Sequence, residues 1–353
     1  MHGDAQHRRN QSENMKDARI IAYGVVLALV LTALVILCIF FFIILFCRRR
    51  SMDSEENLPV KRSAPAYPLI EVDASTDGFN HRRIIGKGRL GTVYVAVMTS
   101  GEIIAVKRIN PWLVLGNPGF GFSSILKSLS LAHHPHVVPI IGFSEAPGER
   151  IIMMEFMGMK SLDFYLHENC GSGGGGGAAL LLDWWRRFRI AAGVARGIEY
   201  LHEGMAPHVV HGCVKPSNIL FDLNFCPKVC DYGLSFLAPK ERGRFVGYMD
   251  DEYWKEGGVC KASDVYGFGV VLLELLSGKR CEEGLLVKWA LPLIRAMELV
   301  EVLDPKLVLP SDMKPLVRLA KVASACVGNT RKNRPTIVQV ATILNSLEME
   351  LSS

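Results

Sequence analysis

Several kinds of residue are scarce or missing in this sequence of 353 residues, and each absence excludes something. No aspartate or glutamate occurs between Glu102 and Glu145, so no carboxylate in that stretch can pair with a lysine. No serine or threonine occurs from Phe236 to Gly247, which excludes hydroxyl phosphorylation there. The nine cysteines show no paired framework of the kind that small secreted domains use. A net charge of only +5 argues against nucleic acid as a partner.

Charged residues are also missing from one long apolar run, residues 20–47, which is 28 residues long. About 20 apolar residues span the hydrocarbon core of a bilayer, so this run predicts one transmembrane helix with some tilt. A buried core helix is seldom apolar on every face over this length, and the apolar part of a cleaved signal peptide is only about 7 to 15 residues long. The arginines at 48–50 favour a C-terminal side that faces the cytoplasm. We therefore expect residues 1–19 to form a short extracytoplasmic tail.

Residues 48–78 contain Pro59, Pro65 and Pro68 among mixed charges, with little apolar periodicity. Such a composition predicts a juxtamembrane linker, and the basic residues next to the membrane favour attraction to anionic lipid. The chain outside the apolar run is long enough to build one large domain or two small ones.

The most informative stretch of the chain runs from His211 to Asn218 and reads His-Gly-Cys-Val-Lys-Pro-Ser-Asn. The triplet Asp231-Tyr232-Gly233 follows it. These motifs resemble the catalytic loop, His-Arg-Asp-Leu-Lys-x-x-Asn, and the metal-binding triplet, Asp-Phe-Gly, of protein kinases.

A glycine-rich segment and a strand lysine precede these motifs at the spacing that the resemblance requires. Residues 86–91 read Gly-Lys-Gly-Arg-Leu-Gly, a pattern that dinucleotide-binding proteins share. In those proteins the loop opens a helix, whereas residues 92–95 here read Thr-Val-Tyr-Val, which predicts a strand. Residues 103–107 predict a third strand, which ends in Lys107.

The resemblance to protein kinases is continuous from residue 79 to residue 349. It is strongest to the plant receptor-like kinases of the Pelle type, among which the crinkly-related, kinase-like members are the most similar. It implies an α+β fold with two lobes: a small β-rich N-lobe at residues 79–157 and a large helical C-lobe at residues 158–349. A helix is expected at residues 189–203, and the glycine tract at residues 173–177 is expected to be a surface loop.

The resemblance also implies ATP with Mg²⁺ as the ligands of the site. The residues that would contact ATP are Ile85, Gly86, Gly88, Gly91, Val93, Ala105, Lys107, Met154, Glu155 and Met157. Of these, Lys107 would hold the α- and β-phosphates, and Met154 would be the gatekeeper. Asn218 and Asp231 would hold the metal, and Lys215 would neutralise the transferred phosphate.

Some residues depart from the kinase pattern, and they stand at positions that take part in catalysis in the family. The catalytic aspartate, which orients the attacking hydroxyl, is replaced by Cys213, and the arginine before it is replaced by Gly212. The glutamate that would hold Lys107 aligns with Ile125, so Lys107 needs another partner or stays unpaired. Val246 stands where the family has a threonine near the substrate site.

Residues that have structural roles in kinases are present. Glu252 resembles the glutamate of the Ala-Pro-Glu motif, and Arg334 resembles its ion-pair partner. Asp264 lies on the helix that braces the catalytic loop in the family. The kinase fold is therefore expected even though the catalytic letters have changed.

These observations favour a membrane-anchored receptor-like pseudokinase, located at the plasma membrane with its kinase-like domain in the cytoplasm. It would act as a signalling scaffold or as an allosteric partner of an active receptor-like kinase or another signalling protein. A thiol accepts hydrogen bonds weakly and has an ordinary pKa of about 8.5, so Cys213 is a poor substitute for a carboxylate. One alternative is a low-activity ATP-dependent serine/threonine protein kinase with a rearranged lysine partner. Another is a nucleotide sensor, whose binding of ATP would be weak and would depend on Lys107 and Asp231.

Overall fold

The computed structural model describes residues 63–115, 121–168, 182–237, 247–256 and 258–352. The expected tail and transmembrane helix, the glycine tract and Val246 lie outside these ranges. Within these ranges, no helix is both long and apolar enough to cross a membrane.

An antiparallel sheet of five strands forms the N-terminal part of the described chain, in the order β1-β2-β3-β5-β4. Its strands are β1 (Ile84–Lys87), β2 (Gly91–Val97), β3 (Ile103–Ile109), β4 (Ile140–Ala146) and β5 (Glu149–Glu155). Strand β3 is almost continuously buried because β2 and β5 cover both of its edges and helices cover the sheet. The register places Lys107 of β3 between Val93 of β2 and Ile152 of β5.

Short helices pack on this sheet, namely α1 (Leu69–Ser75), α2 (Pro111–Leu115) and α3 (Phe122–Leu129). Helix α3 buries Phe122, Leu126 and Leu129, whose spacing places them on one face. Helix α1 lies in the stretch that the sequence predicts as linker, yet it packs against β4. Just before it, the backbone N–H of Tyr67 donates to the Phe143 carbonyl at 2.8 Å. The folded domain therefore begins before residue 79.

The C-terminal part of the described chain is mainly helical. Its helices are α4 (Trp184–Glu199), α5 (Asp251–Glu256), α6 (Lys261–Ser277), α7 (Leu285–Arg295), α8 (Lys314–Cys326) and α9 (Ile337–Ser352), and a two-stranded ladder joins β6 (Ile219–Phe221) to β7 (Pro227–Val229). One single helical turn, His81–Arg83, directly precedes β1. The single turns of the C-terminal part are Phe164–Glu168, Tyr200–Gly204, Pro216–Asn218, Ser235–Leu237, Leu299–Glu301 and Arg331–Asn333. Helix α6 is buried along most of its length because α4, α7 and α8 pack around it. This arrangement confirms the predicted two-lobed α+β architecture.

Helix α4 confirms the predicted helix at residues 189–203, but it begins earlier, at Trp184. The reason is a cap: the Asp183 carboxylate accepts the backbone N–H of Arg186 at 2.9 Å, which satisfies one free donor of the first turn. The predicted end lies in the single turn that follows α4, at Tyr200–Gly204.

The helical part also contains a buried ion pair between Arg187 of α4 and Asp304. Their side chains meet at 2.5 Å, and the remaining guanidinium donors bond the carbonyl oxygens of Leu182 and Leu275 at 2.8 and 2.6 Å. Because Arg187 bonds to this carboxylate and both carbonyls, burial of the charge is compensated and the pair joins α4, α6 and the chain after α7.

Candidate active site

Lys107 of strand β3 pairs with Asp231, the first residue of the predicted metal-binding triplet. The lysine Nζ contacts the carboxylate Oδ2, and Lys107 is only 6% exposed. The sequence leaves open whether Lys107 finds another partner, and the structure supplies one. The lysine that would hold phosphates is bonded to the carboxylate that would hold the metal.

The cause of this pairing lies in helix α3. The position predicted to carry the glutamate that would hold Lys107 is Ile125, which packs against the hydrophobic core. No carboxylate occurs between Glu102 and Glu145, so that stretch offers no competing partner for the lysine. A buried ammonium is stable only with a partner, and Asp231 is the partner that it has.

Cys213 occupies the position of the catalytic aspartate and carries a neutral thiol at physiological pH. Desolvation by burial raises the pKa of this thiol to about 11, and the nearby Lys215 and Arg89 only partly oppose that effect. Its backbone N–H donates to His211 Nδ1 at 3.3 Å, and its carbonyl accepts a bond from the Asn218 side-chain amide at 3.0 Å. The backbone of the loop is therefore held in place while its acceptor group is missing.

The catalytic loop is braced from below by Asp264 of helix α6, as the resemblance implies. Its carboxylate accepts the backbone N–H groups of His211 and Gly212 at 2.7 and 2.8 Å. His202 Nε2 lies 2.7 Å from the same carboxylate. Gly212 has φ +86°, and an added Cβ would lie 3.0 Å from that of Ser235. A side chain at this position would therefore be strained.

The triplet itself is fixed between the two parts of the fold. Tyr232 is buried, and its hydroxyl donates to the Val138 carbonyl at 3.1 Å, a bond that phenylalanine could not make. The N–H of Gly233 donates to the His211 carbonyl at 3.1 Å. The backbone of Asp231 has φ +62°, in the left-handed region that residues other than glycine seldom adopt.

The glycine-rich segment forms a tight turn. The N–H of Gly88 donates to the Gly91 carbonyl at 2.9 Å, and the N–H of Gly91 donates back to the Gly88 carbonyl at 3.3 Å. Within the turn, Leu90 packs against the hydrophobic core, and the side-chain amide of Asn110 donates to the Arg89 carbonyl at 2.6 Å. The core contact of Leu90 and the Asn110 hydrogen bond therefore hold the turn against the rest of the fold.

The remaining predicted nucleotide contacts on the sheet lie on four strands, β1, β2, β3 and β5. Gly86 and Val93 pair across β1 and β2, and Ile85 is exposed. Ala105 and Met154 pair across β3 and β5, and both are buried. The structure thus places these residues on the strands that the resemblance implies.

The predicted hinge follows strand β5. Met157 is buried, whereas Glu155 is exposed and its Oε2 lies 3.5 Å from Lys228 Nζ. This contact joins the end of β5 to strand β7.

A divalent cation does not fit this site as it is built. Asp231 and Asn218 are oxygen ligands of the type that Mg²⁺ prefers, but Lys107 already contacts the one carboxylate. The described ranges contain no cluster of three or more histidine, cysteine, aspartate or glutamate residues that could hold a metal. Metal binding would require Lys107 to leave the Asp231 carboxylate.

The ion pair predicted between Glu252 and Arg334 is wrong. Arg334 instead bonds the buried carboxylate of Asp250, which Arg331 also holds through two bonds of 3.0 and 3.1 Å. Glu252 accepts the backbone N–H of Arg331 at 2.9 Å. Asp250 directly precedes helix α5 and also accepts the N–H of Tyr253 at 2.7 Å, so it lies within reach of both guanidinium groups.

Some functional contacts were not found in the sequence. Asn110 follows β3 directly and Arg89 lies in the glycine-rich segment, but neither position carries a recognisable motif. Asp250 lies two residues before Glu252, and its acidic character was the available signal.

Comparison with known families gives a match over most of the chain. A family model described as "Protein tyrosine and serine/threonine kinase" matches residues 79–344. The leucine-rich repeat receptor protein kinase EMS1 of Arabidopsis thaliana is 34% identical over 83% of this chain, which corresponds to 26% of that relative. The proline-rich receptor-like protein kinase PERK2 of the same plant is 34% identical over 78% of this chain and 39% of the relative. This chain therefore spans well under half the length of these relatives.

A solved structure is also similar. The pseudokinase domain of BIR2, described as an immune regulator of the RLK/Pelle family, aligns with a TM-score of 0.68 and 28% sequence identity. The alignment covers 83% of this chain and 91% of that domain. The comparisons support the broad receptor-like kinase resemblance, and the crinkly-related assignment stays a prediction.

Proposed function

Because the chain belongs to the protein kinase family, in its plant receptor-like branch, we propose that it is a receptor-like pseudokinase. It acts as a signalling scaffold or as an allosteric partner of an active kinase. The observation that carries this proposal is the half-buried thiol of Cys213 at the position where a kinase needs a carboxylate.

Phosphoryl transfer depends on positioning and charge stabilisation, with little covalent chemistry from the protein. A general base typically contributes about 10² to 10⁴ in rate, and a thiol with a pKa of about 11 cannot take that role at pH 7. The ion pair between Lys107 and Asp231 adds a second obstacle, because it occupies the groups that would hold phosphate and metal. Together these features support a loss of transfer activity with the fold intact.

A regulatory role fits the structural neighbour. The similar BIR2 domain is described as a pseudokinase and as belonging to an immune regulator. We therefore propose that the partner of the present chain is a protein, either an active receptor-like kinase or another signalling protein.

The membrane location is part of the same proposal. The relatives are named as receptor kinases, and residues 20–47 are apolar for long enough to span a bilayer. We propose a single-pass protein of the plasma membrane with its kinase-like domain in the cytoplasm. Protease added to intact microsomes should digest the domain, and protection of the domain inside the vesicles would overturn this orientation.

The central experiment measures transfer of radiolabelled phosphate from ATP to a generic protein substrate by the purified full chain. Asp231→Asn serves as the blank because it removes the metal-binding carboxylate. We expect the parent to match the blank. Robust transfer by the parent that is lost in Asp231→Asn would falsify the pseudokinase proposal.

That second outcome would support the alternative, a low-activity serine/threonine protein kinase. One observation favours this alternative: Lys215 and Asn218 stand at the family's positions in the catalytic loop, although Asp231 is paired with Lys107. The family uses ATP and Mg²⁺, and the pair would have to open to admit them.

A further inference from the structure

The loop at residues 133–136, which precedes strand β4, packs on helix α4. Gly193 and Gly197 leave the space for it on one face of that helix. A Cβ added at Gly193 would lie 2.9 Å from the His136 Cε1 atom, and one added at Gly197 would lie 2.5 Å from the His136 carbonyl oxygen. His136 therefore occupies a slot that larger side chains on α4 would fill.

The two ring nitrogens of His136 have partners that fix its protonation state. Nδ1 lies 2.8 Å from the Pro227 carbonyl oxygen, so this nitrogen carries a proton and donates it. Nε2 accepts the Nε–H of Arg196 at 3.2 Å, so this nitrogen carries no proton. The imidazole of His136 is therefore neutral in this arrangement.

His134 also has to be neutral. Its Nδ1 accepts the backbone N–H of His136 at 3.2 Å, which a protonated nitrogen could not do. Its ring stacks on that of Tyr200, with 4.9 Å between the centroids. Desolvation by burial, followed by the nearby His136 and Arg196, lowers the pKa of His134 to about 4. We refer to His134, His136 and Arg196 as the histidine cluster.

The surroundings of His136 oppose a positive charge on its ring. Desolvation by burial lowers its pKa most. Arg196 of α4 and Lys228 of β7 lower the pKa further, whereas Glu348 of α9 and the hydrogen bond to the backbone carbonyl raise it. Cys226 Sγ lies 3.5 Å from Nδ1, and burial keeps this thiol neutral by raising its pKa. Protonation of His136 would therefore place a second cation next to Arg196.

The same loop supports the predicted metal-binding triplet. The Val229 N–H donates to the His136 carbonyl, and the Val138 N–H donates to the Val229 carbonyl, both at 2.9 Å. The hydroxyl of Tyr232 donates to the Val138 carbonyl at 3.1 Å. Movement of His136 away from α4 therefore acts on the backbone that holds Tyr232.

We propose that the histidine cluster is a pH-sensitive switch, which holds the loop on α4 at neutral pH and releases it in acid. Protonation of His136 takes the acceptor from Arg196, and protonation of His134 takes the acceptor from a backbone N–H. Histidines whose folded-state pKa is lowered stabilise the bound loop fully above about pH 6.5, and this stabilisation is lost as the pH falls toward the folded-state value. The inference is independent of the proposed pseudokinase function, because it involves neither nucleotide nor phosphate transfer.

The test measures amide hydrogen exchange of the full chain in detergent micelles by mass spectrometry, at pH 7.5 and pH 5.5. Exchange rates are corrected for the intrinsic rate at each pH. Peptides that contain Val138 and Val229 report on the loop, and peptides from the buried helix α6 are the internal reference. We expect the parent to lose at least about tenfold in protection of the loop in acid, because one such histidine shifts an equilibrium by about that factor one pH unit below its ordinary pKa.

Variants assign this loss to the cluster. His134→Gln combined with His136→Asn should lose less than about twofold, since side-chain amides do not titrate. His133→Asn is the matched control, because this histidine of the same loop is exposed, and it should behave like the parent.

Equal pH dependence in the parent and in the combined variant would overturn the inference, as would a parent whose protection is the same at both pH values. Loss of the pH dependence in His133→Asn would also contradict it. If the combined variant does not fold, Arg196→Met gives a second test, because it removes both the donor and the cation next to His136. We expect a smaller pH dependence in Arg196→Met than in the parent, and an equal one would contradict the switch.

Discussion

The helical part and the nucleotide cleft differ in their polar groups. The helical part has the carboxylates that a kinase fold needs, whereas the cleft lacks some of them. In the helical part, Asp264 holds the catalytic loop through two short bonds to backbone N–H groups, and Asp304 pairs with Arg187 at 2.5 Å. In the cleft, Cys213 has replaced a carboxylate, and Lys107 has turned to Asp231. The comparison teaches that the scaffold and the chemistry of this fold rest on different residues and can be separated.

The reason for the separation is geometric. Asp264 acts on backbone N–H groups, which are present whatever side chains the loop carries. The loop therefore keeps its course when Cys213 replaces aspartate. A change to Asp264 itself would leave the buried N–H groups of His211 and Gly212 without an acceptor.

The largest effect is expected from the scaffold side of the comparison. Arg187→Met leaves the buried Asp304 carboxylate without its partner, which typically costs about 3 to 5 kcal/mol in the free energy of unfolding. Urea unfolding followed by circular dichroism measures the change. Arg318→Met is the control, because its pair with Glu350 is exposed and should have no measurable effect. Equal stability of the two variants would contradict the scaffold role of the buried pair.

The cleft side makes a prediction about reactivity. Because the pKa of the Cys213 thiol is about 11, only a small fraction is thiolate at pH 8. Alkylation by iodoacetamide should be on the order of 10² slower than for an ordinary thiol and should accelerate up to pH 11. Peptide mass spectrometry follows the modification, and the same cysteine in the urea-unfolded chain is the control. Equal rates for the folded and unfolded chains would contradict the raised pKa of the Cys213 thiol.

The carboxylate of Asp250 should make the stability of the fold depend on pH in acid. Burial raises the pKa of this carboxyl, but hydrogen bonds from Arg331 and Arg334 outweigh burial and hold the pKa below its usual range. A lowered folded-state pKa stabilises the fold above about pH 4, and the stabilisation is lost as the pH falls through the folded-state value. Asp250→Asn should therefore cost about 2 kcal/mol at pH 7, and the difference from the parent should shrink in acid.

Chemical denaturation at pH 7 and at pH 3 measures this difference. Glu252→Gln is the matched control, since Glu252 accepts only one backbone N–H, from Arg331, in the described contacts. A larger loss for Glu252→Gln than for Asp250→Asn would restore the ion pair that the sequence predicts.

The smallest effect concerns recovery of activity in the cleft. Cys213→Asp alone should leave phosphate transfer near the blank, because Lys107 still binds Asp231. With Ile125→Glu added, transfer should rise about tenfold above the blank, which is less than the 10² to 10⁴ of a well-placed general base. The two changes should exceed the sum of their separate effects, since both groups position one reaction. Full recovery by Cys213→Asp alone would show that the lysine pairing is harmless.

Much of the fold could be predicted from the sequence, because apolar periodicity and motif order specify strands and helices. The strand that carries Lys107 and the helix predicted at residues 189–203 were found in this way. The absence of acidic residues between Glu102 and Glu145 also showed that Lys107 lacked its usual partner.

The pairings in three dimensions could not be predicted in the same way. Asp231 lies 124 positions after Lys107, and nothing local indicates their contact. Asp250 displaced Glu252 as the partner of Arg334 because an ion pair depends on where a helix begins, and helix boundaries are weakly encoded. Arg89 and Asn110 meet through a turn whose shape depends on core packing around Leu90.

The left-handed backbone at Gly212 has a consequence for the history of such a chain. Because the loop has φ +86° at this position, an arginine could replace Gly212 only after another change. That change would have to rotate the backbone and clear the space next to Ser235. Gly212 therefore fixes the identity of this position: the left-handed backbone and the contact with Ser235 both disfavour the arginine that kinases carry there.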